Sequence, residues 1–344
     1  MKSAALTALH TLEIQEVPLP PDPGPGQVLV RLRAVGLCGS DMHWYLEGCV
    51  GHNPAIYPMV LGHEPVGDVV AVGPGAGTHQ IGQMVSVEPT VSCGHCGFCL
   101  TGRHNNCVHG VFMGGPTSEG FFREFALVPA RNADVVPATL TPIQASLIEP
   151  TAVIVHLLEL VKIKVGDTVA VLGSGPIGLL AAIMARYAGA SRVIIADRVG
   201  HRLQLAKRLG LDETVDMRSQ SVLDAVMDLT SGRGADLVLD AAGAPETIQA
   251  GIEMTRPSGQ FVLVGIPSNK LFPVDLHTAM AKELRIQTIK RSNHKGREAM
   301  ELIQDGRIPE SIITHRLSLE RTPEAFDLVE HYRDGVGKVV IEMP

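Results

Sequence analysis

The stretch VAVLGSGPIGLL, residues 169–180, constrains the fold of this chain more than any other part of it. It joins a predicted strand to a predicted helix and places Gly173, Gly175 and Gly178 in the pattern G-x-G-x-x-G. In this pattern the first glycine makes a tight turn, the second lets a pyrophosphate approach the backbone, and the third lets the helix pack against the sheet. Pro176 and Ile177 begin that helix, whose free N–H groups attract phosphate. The stretch therefore predicts a dinucleotide-binding βαβ unit.

Strands and helices alternate from about residue 151 to 285. DTVAVLG, RVIIAD, ADLVLDAAG and GQFVLVGIP are predicted strands, with helical stretches between them. This order predicts a Rossmann domain, a doubly wound parallel sheet, over 151–285. Asp197 ends the second strand, 19 residues after Gly178. A carboxylate at that position accepts hydrogen bonds from a ribose 2′-hydroxyl and repels a 2′-phosphate. We therefore expect NAD rather than NADP, although Arg198 follows directly and weakens that preference.

Residues 1–150 are predicted to form short strands and turns. QVLVRLRAVGLCG, MVSVEP and FREFALVPA are predicted strands. The chain contains 36 glycines and 23 prolines but only 4% aromatic residues, which favours turn-rich β-structure over a helical bundle. After residue 285 a helix, REAMELIQDGRI, and a strand, GVGKVVIEM, do not continue the strand–helix alternation. We expect this last segment to rejoin the first domain.

Four of the six cysteines lie within one short glycine-rich segment, CGHCGFCLTGRHNNC. They are Cys93, Cys96, Cys99 and Cys107. Two disulfides in one such loop would suit a small secreted domain, whereas this chain is long and has no predicted secretion signal. Four thiolates around one tetrahedral zinc ion fit better. Because such a site has no open coordination position, we expect a structural zinc that holds the loop.

Charge and hydropathy exclude several kinds of partner. The formal net charge is −7 and there is no long basic run, which argues against nucleic acid and anionic membranes. The N-terminal MKSAALTALHTLEIQEV has no sustained apolar core, so we expect no signal peptide and a cytoplasmic location. The uncharged stretch 168–185 is long enough to span a membrane, but its GSGPIG interruption favours a buried strand, turn and helix.

A second metal site is predicted from dispersed residues. Cys38 lies in GLCGSDMHW, and His63 and Glu64 are adjacent in GHEPVGDVVAVG. Taken singly, each is more often a structural residue; together they offer a soft, a borderline and a hard ligand. Glu149, in LIEPTA, lies at the predicted domain junction, where clefts form. A catalytic zinc needs three protein ligands and one exchangeable position, which this set could provide.

These residues together resemble the zinc-dependent medium-chain dehydrogenase/reductase family, and in particular its sorbitol (polyol) dehydrogenases. The matching stretches span nearly the whole chain: GLCGSDMHWY, PMVLGHEPVGDVV, SLIEPTAV, GSGPIGLL, ADRVGHRL, VLVGIP and THRLSLERTPEAF. The resemblance implies a GroES-like β-rich catalytic domain made from 1–150 and 286–344, with the Rossmann domain inserted at 151–285. It also implies two zinc ions per chain, NAD as the cofactor, and a homotetramer.

The resemblance also implies a role for each candidate residue. Cys38, His63 and Glu64 would hold the catalytic zinc, and water or Glu149 would complete its coordination. His63 would donate a hydrogen bond to Asp41, and Lys338 would form an ion pair with Glu64. Arg202 would contact the adenosine ribose. Val264 and Gly265 would contact the nicotinamide. A proton would pass from Ser40 through the nicotinamide ribose to His43, while hydride passes to NAD⁺.

The expected substrate residues are Trp44, Phe112 and Arg291. Two of these positions depart from the polyol dehydrogenases, which often have an aromatic residue after this arginine and a tyrosine in place of Trp44. Here Ser292 follows Arg291. The resemblance therefore implies a small-molecule alcohol or polyol, without implying sorbitol itself.

Three other functions compete with this interpretation. A threonine 3-dehydrogenase-like enzyme shares the cysteine cluster and the GHE ligands, but commonly has Thr where Ser40 stands and lacks the IEP sequence. A non-catalytic protein that binds zinc and a dinucleotide would not need the dispersed ligands together with Ser40 and His43. A zinc-ribbon nucleic-acid binder is disfavoured by the net charge. Metal analysis separates the enzyme, with two zinc ions per chain, from the non-catalytic protein, with one.

Overall fold

A computed structural model describes residues 1–344 and divides them into two units. Unit 1 contains Met1–Val153, Ser292–Asp334 and Lys338–Pro344, and unit 2 contains Ile154–Arg291 and Gly335–Gly337. Unit 1 has the β-rich structure, and unit 2 the alternation of strands and helices, that the sequence predicts.

Unit 1 is built mainly on antiparallel sheets. Its strands are β1 (Lys2–Ala8), β2 (Thr11–Glu16), β3 (Gln27–Gly36), β4 (Cys49–Val50), β5 (Asn53–Pro54), β6 (Met59–Val60), β7 (Glu64–Val72), β8 (Met84–Val87), β9 (Thr90–Val91), β10 (Val111–Phe112), β11 (Phe125–Pro129), β12 (Ala133–Val135), and, late in the chain, β19 (Ile313–Ser318) and β20 (Lys338–Glu342). On β3, buried Val28, Val30 and Leu32 alternate with more exposed neighbours, as a half-buried strand requires. The main sheet has the order β12-β8-β7-β3-β20-β19, with β11 also paired to β3.

The smaller sheets of unit 1 have the orders β2-β1-β6, β10-β9 and β4-β5. The α-helices that begin in unit 1 are α1 (Gly39–Glu47), α2 (Gly97–Leu100), α3 (Pro142–Ala145), α4 (Ile148–Leu160), α10 (Gly296–Gln304) and α11 (Thr322–Glu330). Helix α1 buries Asp41, Met42, Trp44 and Tyr45. It ends at Gly48, whose φ of 65° is the left-handed conformation that glycine adopts readily.

Unit 2 is a parallel α/β layer. Its strands are β13 (Thr168–Leu172), β14 (Arg192–Asp197), β15 (Glu213–Asp216), β16 (Ala235–Asp240), β17 (Thr255–Leu263) and β18 (Arg285–Thr288). Its helices are α5 (Pro176–Tyr187), α6 (Gly200–Arg208), α7 (Val222–Leu229), α8 (Pro245–Met254) and α9 (Leu276–Ala281). The sheet order is β15-β14-β13-β16-β17-β18, and every pair is parallel. This is the strand order of a Rossmann fold.

The segment after residue 285 differs from the sequence expectation in where it leaves unit 2. Strand β18 pairs with β17, so the chain enters unit 1 at Ser292 rather than at 286. The residues of β18 are largely exposed, and LRIQTIK therefore lacks the apolar run that marks the other strands of this sheet. Residues Gly335–Gly337 also group with unit 2.

One helical segment, Pro142–Leu160, is long and apolar enough to cross a membrane by length and composition. About 61% of its most apolar window is buried inside the protein. Core helices of soluble proteins share these properties, so the segment is weak evidence for a membrane span. The stretch 168–185 forms β13 and most of α5, the strand–turn–helix that its sequence predicts.

Candidate active site and metal centres

The four clustered cysteines converge in unit 1. Their sulfur atoms all lie within 4.8 Å of one another, and all are free thiols. The Sγ of Cys99 is 3.5 Å from that of Cys96 and 3.9 Å from that of Cys93. A zinc–sulfur tetrahedron with bonds of about 2.3 Å has edges of about 3.8 Å. The cluster therefore fits one zinc ion without rearrangement.

Backbone N–H groups in this loop lower the pKa of two of the thiols. The Cys93 N–H points at the Cys107 Sγ at 3.3 Å, and it lowers the pKa of the Cys107 thiol. The Cys99 N–H lowers the pKa of the Cys96 thiol to about 6. Both effects favour the thiolates that bind zinc, whereas burial raises the pKa of the Cys99 thiol to about 11, so zinc would displace a proton from Cys99. The loop also exposes Leu100 and Phe98, so it has little apolar core of its own to hold it in place.

The dispersed residues Cys38, His63 and Glu64 also converge. One ligand atom from each lies within 4.8 Å of the others. Cys38 is the N-cap of α1, His63 precedes β7, and Glu64 begins β7. The side chains of His63 and Glu64 are buried. A thiol, an imidazole and a carboxylate in one buried place match the donors that zinc accepts, and three ligands leave a position open.

Asp41 contacts His63 and the backbone next to it and at Cys38. Its Oδ2 accepts the Cys38 N–H at 3.0 Å, and its Oδ1 accepts the Gly62 N–H at 3.1 Å. The same Oδ1 lies 3.3 Å from His63 Nδ1. Burial acts to lower the pKa of His63, but the charges of Asp41 and Cys38 raise it well above the usual value. Such an anion-rich pocket favours a cation, and a metal ion would replace the proton.

Lys338 holds the carboxylate side. Its ammonium donates to Glu64 Oε2 and, at 3.0 Å, to the Leu37 carbonyl, and the lysine is 1% exposed. The pair of Lys338 with Glu64 that the resemblance implied is therefore present in the structure. Gly36 makes room for it, because a Cβ at that position would lie 1.8 Å from Glu64 Oε2.

Glu149 lies near this set without joining it. It is in the first turn of α4 and half-buried, and its carboxylate is outside the group of mutually close ligand atoms. Burial raises the pKa of Glu149 to about 8; His63 opposes this effect, and Glu64 and Glu88 add to it. The carboxyl is thus within electrostatic reach of both His63 and Glu64. The sequence analysis did not single out Glu88.

Ser40 and His43 occupy one face of α1. Ser40 Oγ lies 3.3 Å from His63 Nε2, which places the hydroxyl beside the candidate metal site. His43 is one turn further along the helix and is bonded through Nδ1 to Glu47 Oε1 at 2.9 Å. Glu47 was not singled out by the sequence analysis, although its i,i+4 spacing from His43 is readable there.

The three candidate substrate residues are placed differently. Trp44 is 3% exposed, and its indole N–H is buried without a hydrogen-bond partner. The Phe112 ring lies 5.1 Å from the His63 ring, centroid to centroid. Arg291 is the last residue of unit 2 before the chain returns to unit 1, and its φ is 55°. Phe112 is therefore the member of this trio that contacts the predicted metal ligands.

The glycine loop of unit 2 has the geometry that its sequence predicts. Gly173 has a φ of 96°, and a Cβ on Gly178 would lie 1.9 Å from the Gly173 carbonyl oxygen. By contrast, the first atom that a Cβ on Gly175 would meet is Arg202 Nη1, at 3.7 Å. The N-terminus of α5 therefore has open space above Gly175, bounded by a guanidinium. Pro176 and Ile177 form the first turn of α5. This space fits a pyrophosphate.

Asp197 is tied to this loop through Ser174. Its Oδ2 accepts both the N–H of Ser174, at 2.6 Å, and the hydroxyl, at 2.8 Å, while Oδ1 accepts the Val199 N–H at 2.8 Å. Asp197 was predicted from the sequence as a ribose acceptor, and Ser174 was not among the predicted residues. The carboxylate also fixes the glycine loop, and Oδ1 retains a lone pair for a ribose hydroxyl.

Val264 and Gly265 follow β17 at the same sheet edge as the glycine loop. Both N–H groups bond to the Asp240 carbonyl at 2.8 Å. A Cβ on Gly265 would lie 2.5 Å from the Gly243 nitrogen, so only glycine fits this approach. In parallel sheets, ligands bind at the carboxyl ends of the strands, where these residues lie.

Comparison with known proteins gives consistent matches. Residues 176–305 match the family described as zinc-binding dehydrogenase, and residues 24–139 match the alcohol dehydrogenase GroES-like domain. The chain is 32% identical to the sorbitol dehydrogenase of Bacillus subtilis (strain 168) over 342 residues, which are 99% of this chain and 97% of that protein. It is 36% identical to the L-threonine 3-dehydrogenase of the same organism over 333 residues, 95% of this chain and 94% of the relative.

A solved structure agrees with these matches. A zinc-binding dehydrogenase from Sinorhizobium meliloti 1021, bound to NADP, superposes with a TM-score of 0.90 at 32% identity. The similarity covers 99% of this chain and 98% of that chain.

Proposed function

Because the chain belongs to the zinc-dependent medium-chain dehydrogenase/reductase family, we propose that it oxidises a secondary alcohol, specifically a polyol of the sorbitol or xylitol type, by hydride transfer to NAD. The observation that carries this proposal is the buried set of Cys38, His63 and Glu64, in which three ligands leave one position for a substrate hydroxyl. The four-thiol cluster has no such vacancy and is assigned to a structural zinc.

The bound groups supply two kinds of chemistry: zinc lowers the pKa of an alcohol hydroxyl, and the nicotinamide accepts hydride. The protein's own residues hold and orient these groups. Asp41 lies 3.3 Å from His63 Nδ1 without forming the hydrogen bond that the resemblance implied, and this contact would favour Nε2 as the atom that faces Ser40 and the metal position. Lys338 offsets the charge of Glu64 in a buried place. Together they keep three ligands in one geometry before substrate arrives.

Residues of α1 would take the proton of the alcohol and release it to solvent. Ser40 Oγ lies beside the metal position, so it takes the hydroxyl proton, and His43, one turn further out, releases it to solvent. Glu149 lies outside the group of mutually close ligand atoms, which supports a hydrogen bond to the incoming hydroxyl over direct coordination as its role. The products are a ketone or aldehyde and NADH.

The proposed preference for NAD rests on Asp197 at the end of β14. Its carboxylate would accept a hydrogen bond from an adenosine ribose hydroxyl, and it would repel a 2′-phosphate. Arg202 beside Gly175 would hold the ribose and pyrophosphate, and Val264 and Gly265 would line the nicotinamide. Comparing kcat/KM for NAD⁺ and NADP⁺ tests this assignment, and equal values would contradict it.

Polyols are proposed because of the residues around the predicted pocket. Phe112, whose ring lies 5.1 Å from the His63 ring, would give it an apolar wall, and the family resemblance assigns Trp44 and Arg291 as further substrate residues. L-Threonine is the second candidate, supported by the 36% identity to a threonine 3-dehydrogenase. Ser40 and the IEP sequence around Glu149 favour the polyol.

We also propose a homotetramer in the cytoplasm. Edge strand β18 and exposed Leu271, Met280 and Ile286 give unit 2 an apolar surface that a second copy could cover. The net charge of −7 supports the absence of nucleic-acid partners. Light scattering on the purified protein measures the assembly, and a monomer would contradict it.

The activity is tested with purified protein and NAD⁺ against sugar alcohols, diols, simple secondary alcohols and L-threonine, with NADH absorbance as the readout. Turnover of polyols above the other classes supports the proposal, and L-threonine as the best substrate would select the second candidate. Elemental analysis accompanies the assay. Zinc present only at the four thiols, together with no turnover, would contradict the assignment to alcohol oxidation.

A further inference from the structure

Helix α1 carries a line of polar groups from the metal site towards solvent. Ser40, His43 and Glu47 are spaced i, i+3 and i+7, which places them on one helical face. Asp41, Met42, Trp44 and Tyr45 are the buried residues of the same helix. The His43 side chain is 20% exposed and that of Glu47 is 32% exposed. His43 and Glu47 are therefore both partly accessible to solvent, whereas the opposite face of the helix is buried.

The line of polar groups ends at a contact between His43 and Glu47. His43 Nδ1 lies 2.9 Å from Glu47 Oε1. A carboxylate only accepts hydrogen bonds, so the ring must carry a proton on Nδ1. In the neutral ring Nε2 is then the unprotonated nitrogen, the atom that can accept a proton. The contact thus selects one of two tautomers, as second partners of functional histidines commonly do.

Helix stability does not account for a glutamate at this position. Glu47 is the last residue of α1, where a negative charge opposes the helix dipole, and no basic residue lies in that turn. The order of His43 before Glu47 also places the acidic member at the C-terminal end, the less favourable arrangement. A partly exposed pair of this kind contributes little to folding. The helix dipole and the order of the pair therefore do not favour this contact, and the inference stands on its geometry with His43.

We propose that Glu47 is a positioning residue for proton release: it holds His43 with the proton on Nδ1 and leaves Nε2 as the acceptor. This inference rests on the proposed function, because the proton comes from the oxidised alcohol. In the balanced step, His43 Nε2 gains the proton that leaves the alcohol through Ser40 and then gives it to water. Oxidation state changes only in the alcohol and the cofactor.

The first test is spectroscopic and does not need turnover. In 15N-labelled protein the two ring nitrogens of His43, assigned by comparison with His43→Asn, report which one carries the proton. We expect Nδ1–H in the wild type. We expect a shift towards Nε2–H, the tautomer favoured by a free imidazole, in Glu47→Ala. A wild-type ring with its proton on Nε2 would overturn the proposal.

The second test is kinetic. We expect Glu47→Ala to lower kcat about tenfold at neutral pH, a fraction of the 10²–10⁴ that a proton-transfer group itself contributes. The KM values for NAD⁺ and for the alcohol should remain near those of the wild type. Glu47→Gln, whose amide oxygen can still accept from Nδ1–H, should recover most of the loss. Added imidazole should restore turnover in His43→Ala, which lacks the proton acceptor, and should have little effect on Glu47→Ala, which retains it.

The matched control is Asp327→Asn. Asp327 faces His331 with the same i,i+4 spacing on α11, at 3.2 Å, and is outside the site. This variant should keep wild-type kcat. An unchanged kcat in Glu47→Ala would overturn the proposal. If no alcohol is turned over by the wild type, the proposed function fails, and the nitrogen shifts still decide whether Glu47 sets the His43 tautomer.

Discussion

The two clusters of metal-binding side chains differ in almost every physical respect except their location in unit 1. The four-thiol cluster uses one kind of ligand, closes within a single short loop, and relies on backbone N–H groups to favour thiolates. The mixed cluster of Cys38, His63 and Glu64 uses three kinds of ligand from separate segments and relies on Asp41 and Lys338. The first can stabilise only the loop, whereas the second leaves room for chemistry.

The two clusters differ in how their charges are compensated. In the thiol cluster, Cys93 and Cys96 are partly exposed, so solvent screens part of its charge, although Cys99 and Cys107 are buried. Around the mixed cluster, Glu64 and Lys338 are both nearly inaccessible, and each depends on the other for compensation. We therefore expect the two clusters to fail in different ways when a single member is changed.

The largest expected effect is that of His63→Ala. Turnover should fall about 10³-fold or more, because a Lewis acid contributes several kcal/mol to the reaction. Bound zinc, measured by elemental analysis, should fall by one ion per chain. His95→Ala, a change at an exposed histidine inside the thiol loop, is the control and should keep both ions. A His63→Ala protein with full turnover would show that the mixed cluster is not the reaction centre.

The second effect is that of Lys338→Met on unfolding. Removing one member of a buried ion pair leaves the other uncompensated and costs about 3–5 kcal/mol. Urea unfolding measures this loss. The double variant Lys338→Met, Glu64→Gln should recover part of it. Lys2→Met breaks a pair with Glu320 that is about half exposed, and it should produce no measurable change. Equal effects of the two lysine changes would contradict the electrostatic contrast between the clusters.

Cys96→Ser should affect stability before it affects chemistry. Losing a structural zinc should cost about 3 kcal/mol and lower the Tm by about 10 °C. Protein that remains folded at low temperature should keep most of its turnover. Cys49→Ser, which alters a thiol outside both clusters, is the matched control. Loss of turnover at an unchanged Tm would mean that the thiol cluster contributes to chemistry.

Asn293 gives the smallest expected effect. Its amide donates to the Gly102 carbonyl at 2.8 Å and accepts the His104 N–H at 3.0 Å, which ties the thiol loop to the segment entering unit 1. Asn293→Ala should cost about 1–2 kcal/mol. Zinc should then leave the thiol cluster faster when a coloured chelator is added.

Asn293→Asp provides the control for that measurement. It keeps the acceptor for His104 and should lie between the wild type and Asn293→Ala. Release from the mixed cluster should be unchanged in both variants. Faster release from the mixed cluster would show that the two clusters are coupled.

The features that the sequence predicted best are local ones. Gly173, Gly175 and Gly178 act through their immediate neighbours, so the pattern alone indicates the turn and the close helix–strand packing. The four cysteines could also be predicted from the sequence to meet, because the loop that connects them is short. The ligand types of Cys38, His63 and Glu64 suggested a metal site, but no spacing rule links those segments, so the family resemblance gave the stronger reason to expect their convergence.

The features that the sequence missed depend on distant contacts or on exposed elements. Asn293 and His104 are 189 residues apart, and nothing in either segment indicates their hydrogen bond. Strand β18 was placed outside the Rossmann domain because its residues are mostly exposed and give no apolar signal. Ser174 was overlooked because its role is to bind Asp197, which requires the two strand ends to be adjacent in space.

The spans of the two clusters have a consequence for biosynthesis. The sulfur-to-backbone contact between Cys93 and Cys107 spans 14 residues, whereas the contact between Glu64 and Lys338 spans 274. During translation the ribosome delivers all four cysteines long before it delivers Lys338. A nascent chain can therefore acquire its structural ion while most of unit 2 is still unmade, and the ion-binding carboxylate must wait for its counter-charge until that unit has been synthesised.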